Sequence, residues 1–332
     1  MLPFITQRVV ILAVLLFVLS IVSFILIELP PGDFLTTYVA RLKIEGHEVS
    51  KDEVEKLSQI YGLDQPAHTR YLLWIRKIVL RGDFGRSLQH DRPVNELISE
   101  RLLLTIVISV CTIVVVWLIA VPIGIYSATH QYSFFDYVWT FVGVVGLGTP
   151  NFLLALLVMW LAFLWLGISA VGIQSPEFIS APWSLARVID LLKHAWVPVA
   201  VIALTGTAGL IRITRGTLLD ELKKAYVIVA RAKGLGEGRI VFKYSLRIAI
   251  NPLISTIGWM LPAIFSGEAL VSIVLNLHTI GPLLLEALLN QDMFLAGSIV
   301  LILGFLTLVG TLVSDIMLMW VDPRIRFSGV AR

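Results

Sequence analysis

The sequence predicts an all-α membrane protein with about six transmembrane helices. Of its residues, 57% are hydrophobic and only 15% are charged, whereas a soluble domain is about 45–50% apolar and about 25% charged. The mean hydropathy is correspondingly high, at +0.88. Uncharged runs such as 9–27 and 102–129 also meet the requirement of about 20 residues for a helix that crosses the hydrocarbon core. We therefore expect a multi-pass chain in the cell membrane.

Six apolar segments are candidates for the spanning helices. They cover 9–28, 102–128, 137–166, 195–214, 252–275 and 296–320. The fourth contains Pro198 and several glycines, which spanning helices tolerate when neighbouring groups satisfy the freed backbone. The first is longer than the apolar core of a signal peptide, about 7–15 residues, and no small-residue cleavage site follows it. We expect it to remain as an uncleaved first helix rather than a secretory signal.

The placement of lysine and arginine predicts the orientation. Nine basic residues and only three acidic ones lie between positions 212 and 247. Arg8 precedes the first helix, and the tail adds further arginines. With an even number of spans, both termini and the basic segment fall on the cytoplasmic side. The turn 129–136 should lie there too, although it contains no lysine or arginine.

This topology divides the chain into three parts. A first helix, 1–28, is followed by an external segment, 29–100, and by a transmembrane domain, 101–332, that contains the basic loop 212–251. In the external segment, Ser50 and Glu53 fit a capping box that opens an amphipathic helix ending at Gly62. A second amphipathic stretch contains Tyr71, Trp74, Ile75 and Ile78. The segment is either a layer packed on the membrane face or a platform that receives a partner.

Signals for catalysis are nearly absent from the sequence. The six histidines lack the His-Glu-x-x-His spacing of a helical zinc site. The glycine-rich stretch 234–238 lacks the Gly-Lys-Ser/Thr ending of a phosphate-binding loop. The single cysteine, Cys111, excludes an internal disulfide. We expect no catalytic residue, and no metal, nucleotide or nucleic acid bound by this chain.

The basic loop contains the most informative pattern. Residues 225–236 favour a helix that stops at glycines, and an apolar pattern then continues through Ile240, Phe242, Leu246 and Ile250. A short cytoplasmic helix with small residues on one face suits insertion into a groove of a partner. The alternative is an ordinary positively charged cytoplasmic loop, which composition alone favours.

Motifs distributed along the chain resemble those of one family in their order. They are Leu-Pro-Pro-Gly-Asp at 29–33, Tyr-Gly-Leu-Asp-Gln-Pro at 61–66, Gly-Asp-Phe-Gly-Arg-Ser at 82–87, Arg-Pro-Val at 92–94, Ala-Arg-Ala-Lys-Gly-Leu at 230–235 and Val-Asp-Pro-Arg-Ile-Arg at 321–326. Together they resemble the dipeptide/oligopeptide/nickel permeases of binding-protein-dependent ABC importers. The stretch at 230–235 is similar to the end of the coupling loop of these permeases.

The resemblance implies a role for each position of the coupling loop. The family's Glu-Ala-Ala falls on Ile228, Val229 and Ala230, its glycine on Gly234, and its frequent closing proline on Arg247. The missing glutamate weakens any assignment of a specific carboxylate contact. The residues expected to couple to ATPase subunits are Ile228, Val229, Ala230, Arg231, Ala232, Lys233, Gly234 and Leu235.

The resemblance also implies partners and a type of cargo. We expect a second homologous permease, two ATP-binding subunits that hold ATP and Mg²⁺, an extracytoplasmic solute-binding protein and the surrounding lipid. The chain would form half of a translocation pathway for oligopeptides, although residues 271–278 depart from the family pattern. Oligosaccharides or another solute are the alternative cargo.

Ionisable residues inside the membrane are functional candidates. Glu268 lies deep in the fifth segment, with Ser272 one turn later, and both are predicted to line the pathway. A structural pair with a neighbouring helix is the alternative for Glu268. Asp315, near the cytoplasmic end of the sixth segment, is expected to pair with a basic loop residue.

Other functional classes make different predictions. An ion-coupled secondary transporter would show inverted repeats and more intramembrane charges, neither of which the sequence shows. A membrane enzyme would require a group of polar side chains within the spanning segments, which the sequence does not show. A membrane scaffold is compatible with the composition, but it would not explain the ordered motifs.

Overall fold

A computed structural model describes residues 2–28, 65–87, 89–167, 172, 175–178, 181–182 and 184–321. Its helices are α1 (Leu2–Glu28), α2 (Ala67–Arg81), α3 (Val94–Thr129), α4 (Phe134–Gly148), α5 (Asn151–Leu166), α6 (Leu185–Leu222), α7 (Ala225–Ala232), α8 (Leu246–Val274), α9 (Ile280–Leu289) and α10 (Met293–Val321). Two short strands, β1 (Arg86–Ser87) and β2 (Arg92–Pro93), form an antiparallel hairpin before α3.

The predicted all-α membrane fold is confirmed. Within the described residues, five helical stretches are long and apolar enough to cross a membrane, and α4 with α5 makes a sixth if that bent pair is one span. Five of the six predicted segments each coincide with one of these, with helix ends up to ten residues further out than predicted. The fifth, 252–275, falls on α8, where the candidate span is Glu237–Gly258 and a shorter apolar stretch, Met260–Val274, follows it. The capping-box helix expected at 50–62 and the motif at 29–33 lie outside the described residues, as do most of the motif at 61–66 and most of that at 321–326.

The third predicted segment, 137–166, consists of two helices. The chain bends by 112° between α4 and α5. Pro150 causes the break because it has no N–H to donate and holds the preceding residue out of the helical region. Thr149 is accordingly extended, with φ −101° and ψ 127°. The continuous apolar run at 137–166 predicted one helix, and this bend was not predicted.

The fourth predicted segment, 195–214, is the middle of a much longer helix. Helix α6 has 38 residues and runs without interruption through Pro198. At 1.5 Å per residue its length is about 57 Å, well beyond the ~30 Å of the hydrocarbon core. Its excess length carries the basic residues that begin at Arg212 out of the apolar layer.

The chain divides into two compact units. The larger unit comprises Met1–Arg8, Leu104–Gly281 and Thr307–Arg332. Its core is built on α6, which packs against α4, α5 and α8. Fully buried side chains such as Ile108, Ala155 and Leu253 fill this core.

The smaller unit comprises Val9–Leu103 and Pro282–Leu306. Its apolar cluster joins Phe24 of α1, Trp74 of α2 and Leu301 of α10. The predicted amphipathic stretch is confirmed as α2, since Tyr71, Ile75 and Ile78 pack on this cluster.

Two polar contacts hold α2 on α1, and one holds the hairpin within the same unit. Tyr71 Oη lies 2.8 Å from Ser20 Oγ, and Arg70 donates to Glu28 Oε2 at 2.6 Å. Ser87 Oγ donates to the buried Asp292 Oδ2 at 2.5 Å. The described end of the external segment is therefore tied to membrane helices.

Candidate functional site

Helix α7 has two faces of opposite character. Val227 and Ala230 are buried and pack with Ile240, Tyr226 and Leu235. On the other face, Ile228 is 62% exposed and Val229 is 52% exposed. Adjacent exposed apolar side chains on a charged loop are typical of a surface that contacts a partner. We call Ile228 and Val229 the exposed face of α7.

The predicted end of this helix at glycine is confirmed. Gly234 has φ +75°, a left-handed conformation that glycine adopts without the steric cost of a Cβ. Its N–H bonds Arg231 O at 2.9 Å, and the N–H of Leu235 returns to Ala230 O at 3.2 Å. These bonds satisfy carbonyls at the end of the helix.

A bidentate ion pair spans the glycine turn. Arg231 Nε and Nη2 donate to the two oxygens of Glu237 at 2.6 and 3.1 Å. Glu237 begins the single helical turn Glu237–Arg239, after which the π-helical turn Ile240–Ser245 leads into α8. The pair therefore links α7 to the segment that enters the next membrane helix.

Glu221 fixes the other end of α7. This carboxylate is 8% exposed at the end of α6, where it accepts from Tyr226 Oη at 2.9 Å and from Lys224 Nζ at 2.7 Å. The hydrogen bond to this carboxylate, together with its negative charge, raises the pKa of Lys224 above the usual value. These contacts of Glu221 were not predicted. Its spacing of three residues from Lys224 and five from Tyr226 could have indicated them.

Arg215 of α6 forms a second anchor, with a buried carboxylate as its partner. It donates from Nε and Nη2 to the two oxygens of Asp136, each at 3.1 Å. Asp136 is 4% exposed and also accepts from the backbone N–H of Tyr132 at 3.0 Å. The pair ties the first turn of α4, and through Tyr132 the turn before it, to α6. No sequence pattern reveals this pair, because its members are 79 residues apart.

A cavity of about 910 Å³ adjoins the turn that follows α7. The end of α3, the end of α6 and the turn after α7 line it, with Tyr126, Leu219, Arg231 and Phe242 among the lining residues. The turn after α3 therefore lies on the same side of the larger unit as α7. This is the arrangement expected for the turn 129–136, and Arg215 supplies a positive charge that the turn itself lacks.

Glu268 and Ser272 lie inside the larger unit. Glu268 is 2% exposed and Ser272 is 0% exposed. Glu268 Oε2 accepts from Ser109 Oγ of α3 at 3.3 Å, as the structural alternative predicted. Their assignment to the translocation pathway stays a prediction. Asp315 forms an ion pair, as expected, but with Arg8 of α1 at 3.0 Å, so the predicted partner in the basic loop was wrong.

Comparison with known proteins identifies full-length relatives. The chain is 32% identical over 331 residues to the oligopeptide transport system permease protein AppB of Bacillus subtilis (strain 168), covering 98% of this chain and 100% of that protein. It is 32% identical over 292 residues to the inner membrane ABC transporter permease protein YejB of Escherichia coli O157:H7, covering 86% and 79%. It is 28% identical over 342 residues to the dipeptide transport system permease protein DppB of Alkalihalophilus pseudofirmus, covering 98% and 100%.

Two family descriptions match successive parts of the chain. Residues 1–109 match "Binding-prot-dependent transport system membrane comp, N-term". Residues 120–327, more than half of the chain, match "Binding-protein-dependent transport system inner membrane component". The resemblance drawn from the motifs is confirmed. The chain belongs to the family of binding-protein-dependent transport system inner membrane components and is a multi-pass membrane permease.

Proposed function

We propose that this permease forms half of an oligopeptide pathway and that α7 couples it to ATP hydrolysis. The observation that carries the coupling role is the exposed face of α7, Ile228 and Val229, on a helix whose opposite face is buried. A helix anchored on one side and apolar on the other suits a groove in a partner protein. Relatives named for oligopeptide and dipeptide transport support the choice of cargo.

The partners follow from this role. Two ATP-binding subunits hold ATP and Mg²⁺, and this chain supplies no residue to hydrolysis. A second homologous permease completes the pathway, and an extracytoplasmic solute-binding protein delivers the cargo. When the ATP-binding subunits close, the groove that holds α7 moves, and the permease changes between inward-open and outward-open states.

The contacts around α7 support transmission of this movement. Glu221 bonds both Lys224 and Tyr226, so a force on α7 passes directly into α6. Arg215 then passes it to Asp136 and the turn before α4. A movement of α7 therefore displaces membrane helices instead of bending a loose loop.

The proposed orientation places both termini and α7 in the cytoplasm. The nine basic residues between positions 212 and 247 support it, as does the position of the turn after α3 beside the same cavity. The proposed domain boundaries remain 1–28, 29–100 and 101–332. The external segment, 29–100, then caps the outer side and receives the binding protein.

The proposed pathway runs beside α3 and α8, which carry Ser109, Glu268 and Ser272. Glu268 and Ser272 are enclosed in this conformation. Contact between cargo and these two side chains therefore requires α3 and α8 to move apart during the cycle.

An uptake assay with two cargoes tests the proposal. Cells that lack this gene, with and without a plasmid copy, receive a labelled oligopeptide or a neutral oligosaccharide of similar mass. We expect the gene to restore peptide uptake only, and only when ATP and the solute-binding protein are present. Restored uptake of the oligosaccharide alone would refute the assignment of oligopeptides as the cargo. Uptake driven by an ion gradient without ATP would indicate a secondary transporter.

A further inference from the structure

The larger unit encloses a group of polar side chains between membrane helices. The members share almost complete burial, at 2% exposure or less. They are Ser109, Glu268, Ser272 and Thr279. They lie where α3, α8 and the beginning of α9 come together, and we call them the Glu268 cluster.

Contacts and helical spacing bring these side chains together. Ser109 Oγ bonds Glu268 Oε2 at 3.3 Å. Ser272 follows Glu268 by four residues on α8, and residues at this spacing share one face of a helix. Helix α3 therefore contributes Ser109 to this contact, and α8 contributes Glu268 and Ser272.

Thr279 joins the cluster through the tight packing that precedes α9. The N–H of the next residue, Ile280, donates to Thr105 Oγ1 of α3 at 3.0 Å. A Cβ added to Gly281 would lie 2.5 Å from the Cα of Ala269, the neighbour of Glu268. The chain at 279–281 is therefore held between α3 and the Glu268 turn of α8, and the Thr279 hydroxyl lies beside the Glu268 carboxyl.

Several polar atoms of the cluster lack a hydrogen-bond partner, and Glu268 lacks a counter-charge. In the described part of the chain, Glu268 Oε1, Ser272 Oγ and Thr279 Oγ1 make no hydrogen bond of normal geometry. No ion pair among the described residues includes Glu268, whereas Asp315 has Arg8 and Asp136 has Arg215. Enclosed polar atoms without partners are unfavourable, and an enclosed charge without a counter-charge is more so.

We propose that the Glu268 cluster binds a small monovalent metal cation, of the Na⁺ or K⁺ class. One carboxylate balances one positive charge, whereas a divalent ion would leave an excess charge in the membrane interior. Carboxylate and hydroxyl oxygens are suitable ligands for hard cations. Such an ion compensates the charge and contacts several unpaired oxygens at once.

Other candidate ligands compensate the charge or contact the unpaired oxygens, but they do not do both. A proton on Glu268 neutralises the charge but leaves most of the hydroxyl oxygens unpaired. Water pairs the hydroxyls but brings no charge. The ammonium group of a peptide is attached to a chain that cannot enter a cluster exposed by 2% or less. The inference is independent of the cargo and of the role of α7, so either can fail without the other.

Thermal unfolding of the complete transporter tests the cation site. The purified complex is heated at fixed pH and ionic strength in sodium, potassium or choline chloride. We expect sodium or potassium to raise the Tm above its value in choline by roughly 3–6 °C. The rise should disappear in Glu268→Gln and shrink in Ser272→Ala. It should persist in the control Ser314→Ala, because Ser314 is equally buried but already donates to Ile254 O at 2.8 Å.

Equilibrium binding of radioactive ²²Na⁺, competed by unlabelled Na⁺ and K⁺, provides a second measurement that does not depend on stability. We expect one saturable site for each copy of this chain, lost in Glu268→Gln and weakened in Ser272→Ala. Equal Tm values in all three salts together with no saturable binding would overturn the proposal in favour of enclosed water. A rise in Tm seen only on acidification in choline would overturn it in favour of a proton. Binding that survives Glu268→Gln would place the ion elsewhere.

Discussion

Arg215 holds the carboxylate of Asp136 through two hydrogen bonds of 3.1 Å, across 79 residues of sequence. The bidentate geometry fixes the guanidinium plane against the carboxylate. The contact lies on α6 between its membrane portion and its last residue, Leu222. The first turn of α4 and the part of α6 that precedes α7 are therefore joined by one pair of side chains.

Removing the charge of Asp136 should destabilise the protein. Asp136→Asn leaves Arg215 without its counter-charge in a largely enclosed position. We expect a loss of about 2–3 kcal/mol in the free energy of unfolding, below the ~3–5 kcal/mol of fully buried pairs, because the Arg215 side chain is 30% exposed. Thermal unfolding in detergent measures the loss. Arg92→Gln is the control, since Arg92 pairs with Glu96 and Glu100 on an exposed surface. An equal fall in Tm for both variants would contradict the account.

Substitution of Gly234 should impair transport through its backbone conformation alone. Gly234 has φ +75°, whereas Gly236 has φ −64°, and a Cβ at either position meets no atom within 4 Å. Gly234→Ala should cost about 1–2 kcal/mol in the left-handed conformation and reposition Leu235. Peptide uptake should fall several-fold at unchanged expression, while Gly236→Ala should transport normally. Similar uptake by the two variants would exclude a requirement for this turn.

A methyl group at Gly281 should disturb the contact between α9 and α8. The added Cβ would lie 2.5 Å from the backbone Cα of Ala269, so the helices must separate. Overpacking of this kind costs about 1–3 kcal/mol, which a lower Tm would show. Gly209→Ala on α6 is the matched control, because a Cβ added at Gly209 would have no atom within 4 Å. A Tm unchanged by Gly281→Ala would show that this packing is looser than described.

Truncation of Trp74 should loosen the smaller unit. Trp74 is 5% exposed in the cluster with Phe24 and Leu301. Trp74→Ala should cost about 3 kcal/mol or more and increase protease cleavage near α2. Leu72→Ala on the same helix should have little effect, since Leu72 is 60% exposed. Equal protease sensitivity of the two variants would argue against docking of α2 through its Trp74 face.

Local patterns explain why the spans and helix α7 were predictable. Apolar runs identify helices by length and composition, and the glycine after Lys233 marks the end of α7 through its freedom to adopt a positive φ. The number of segments followed from the length of these runs, and the amphipathic helix at Tyr71 and Trp74 followed from the spacing of its apolar residues.

Long-range contacts explain what the sequence analysis missed. No local pattern relates Asp136 to Arg215, Ser109 to Glu268 or Arg8 to Asp315, because each pair forms only when distant helices pack. The bend at Pro150 was local, but spanning helices also accommodate proline without a bend, as α6 does at Pro198. Sequence alone does not separate these two outcomes.

The most direct test of coupling is ATP turnover and peptide uptake measured together in proteoliposomes that contain the complete transporter. Ile228→Asn with Val229→Asn removes the apolar contact of the exposed face while leaving Val227 and Ala230 in place. Burial of an aliphatic side chain contributes about 1.5–3 kcal/mol, so we predict that binding-protein-stimulated ATP turnover and uptake fall together by at least tenfold. Leu289→Asn, 75% exposed on α9, serves as the control and should retain both activities. Wild-type turnover and uptake in the double variant would contradict the assignment of α7 as the coupling helix.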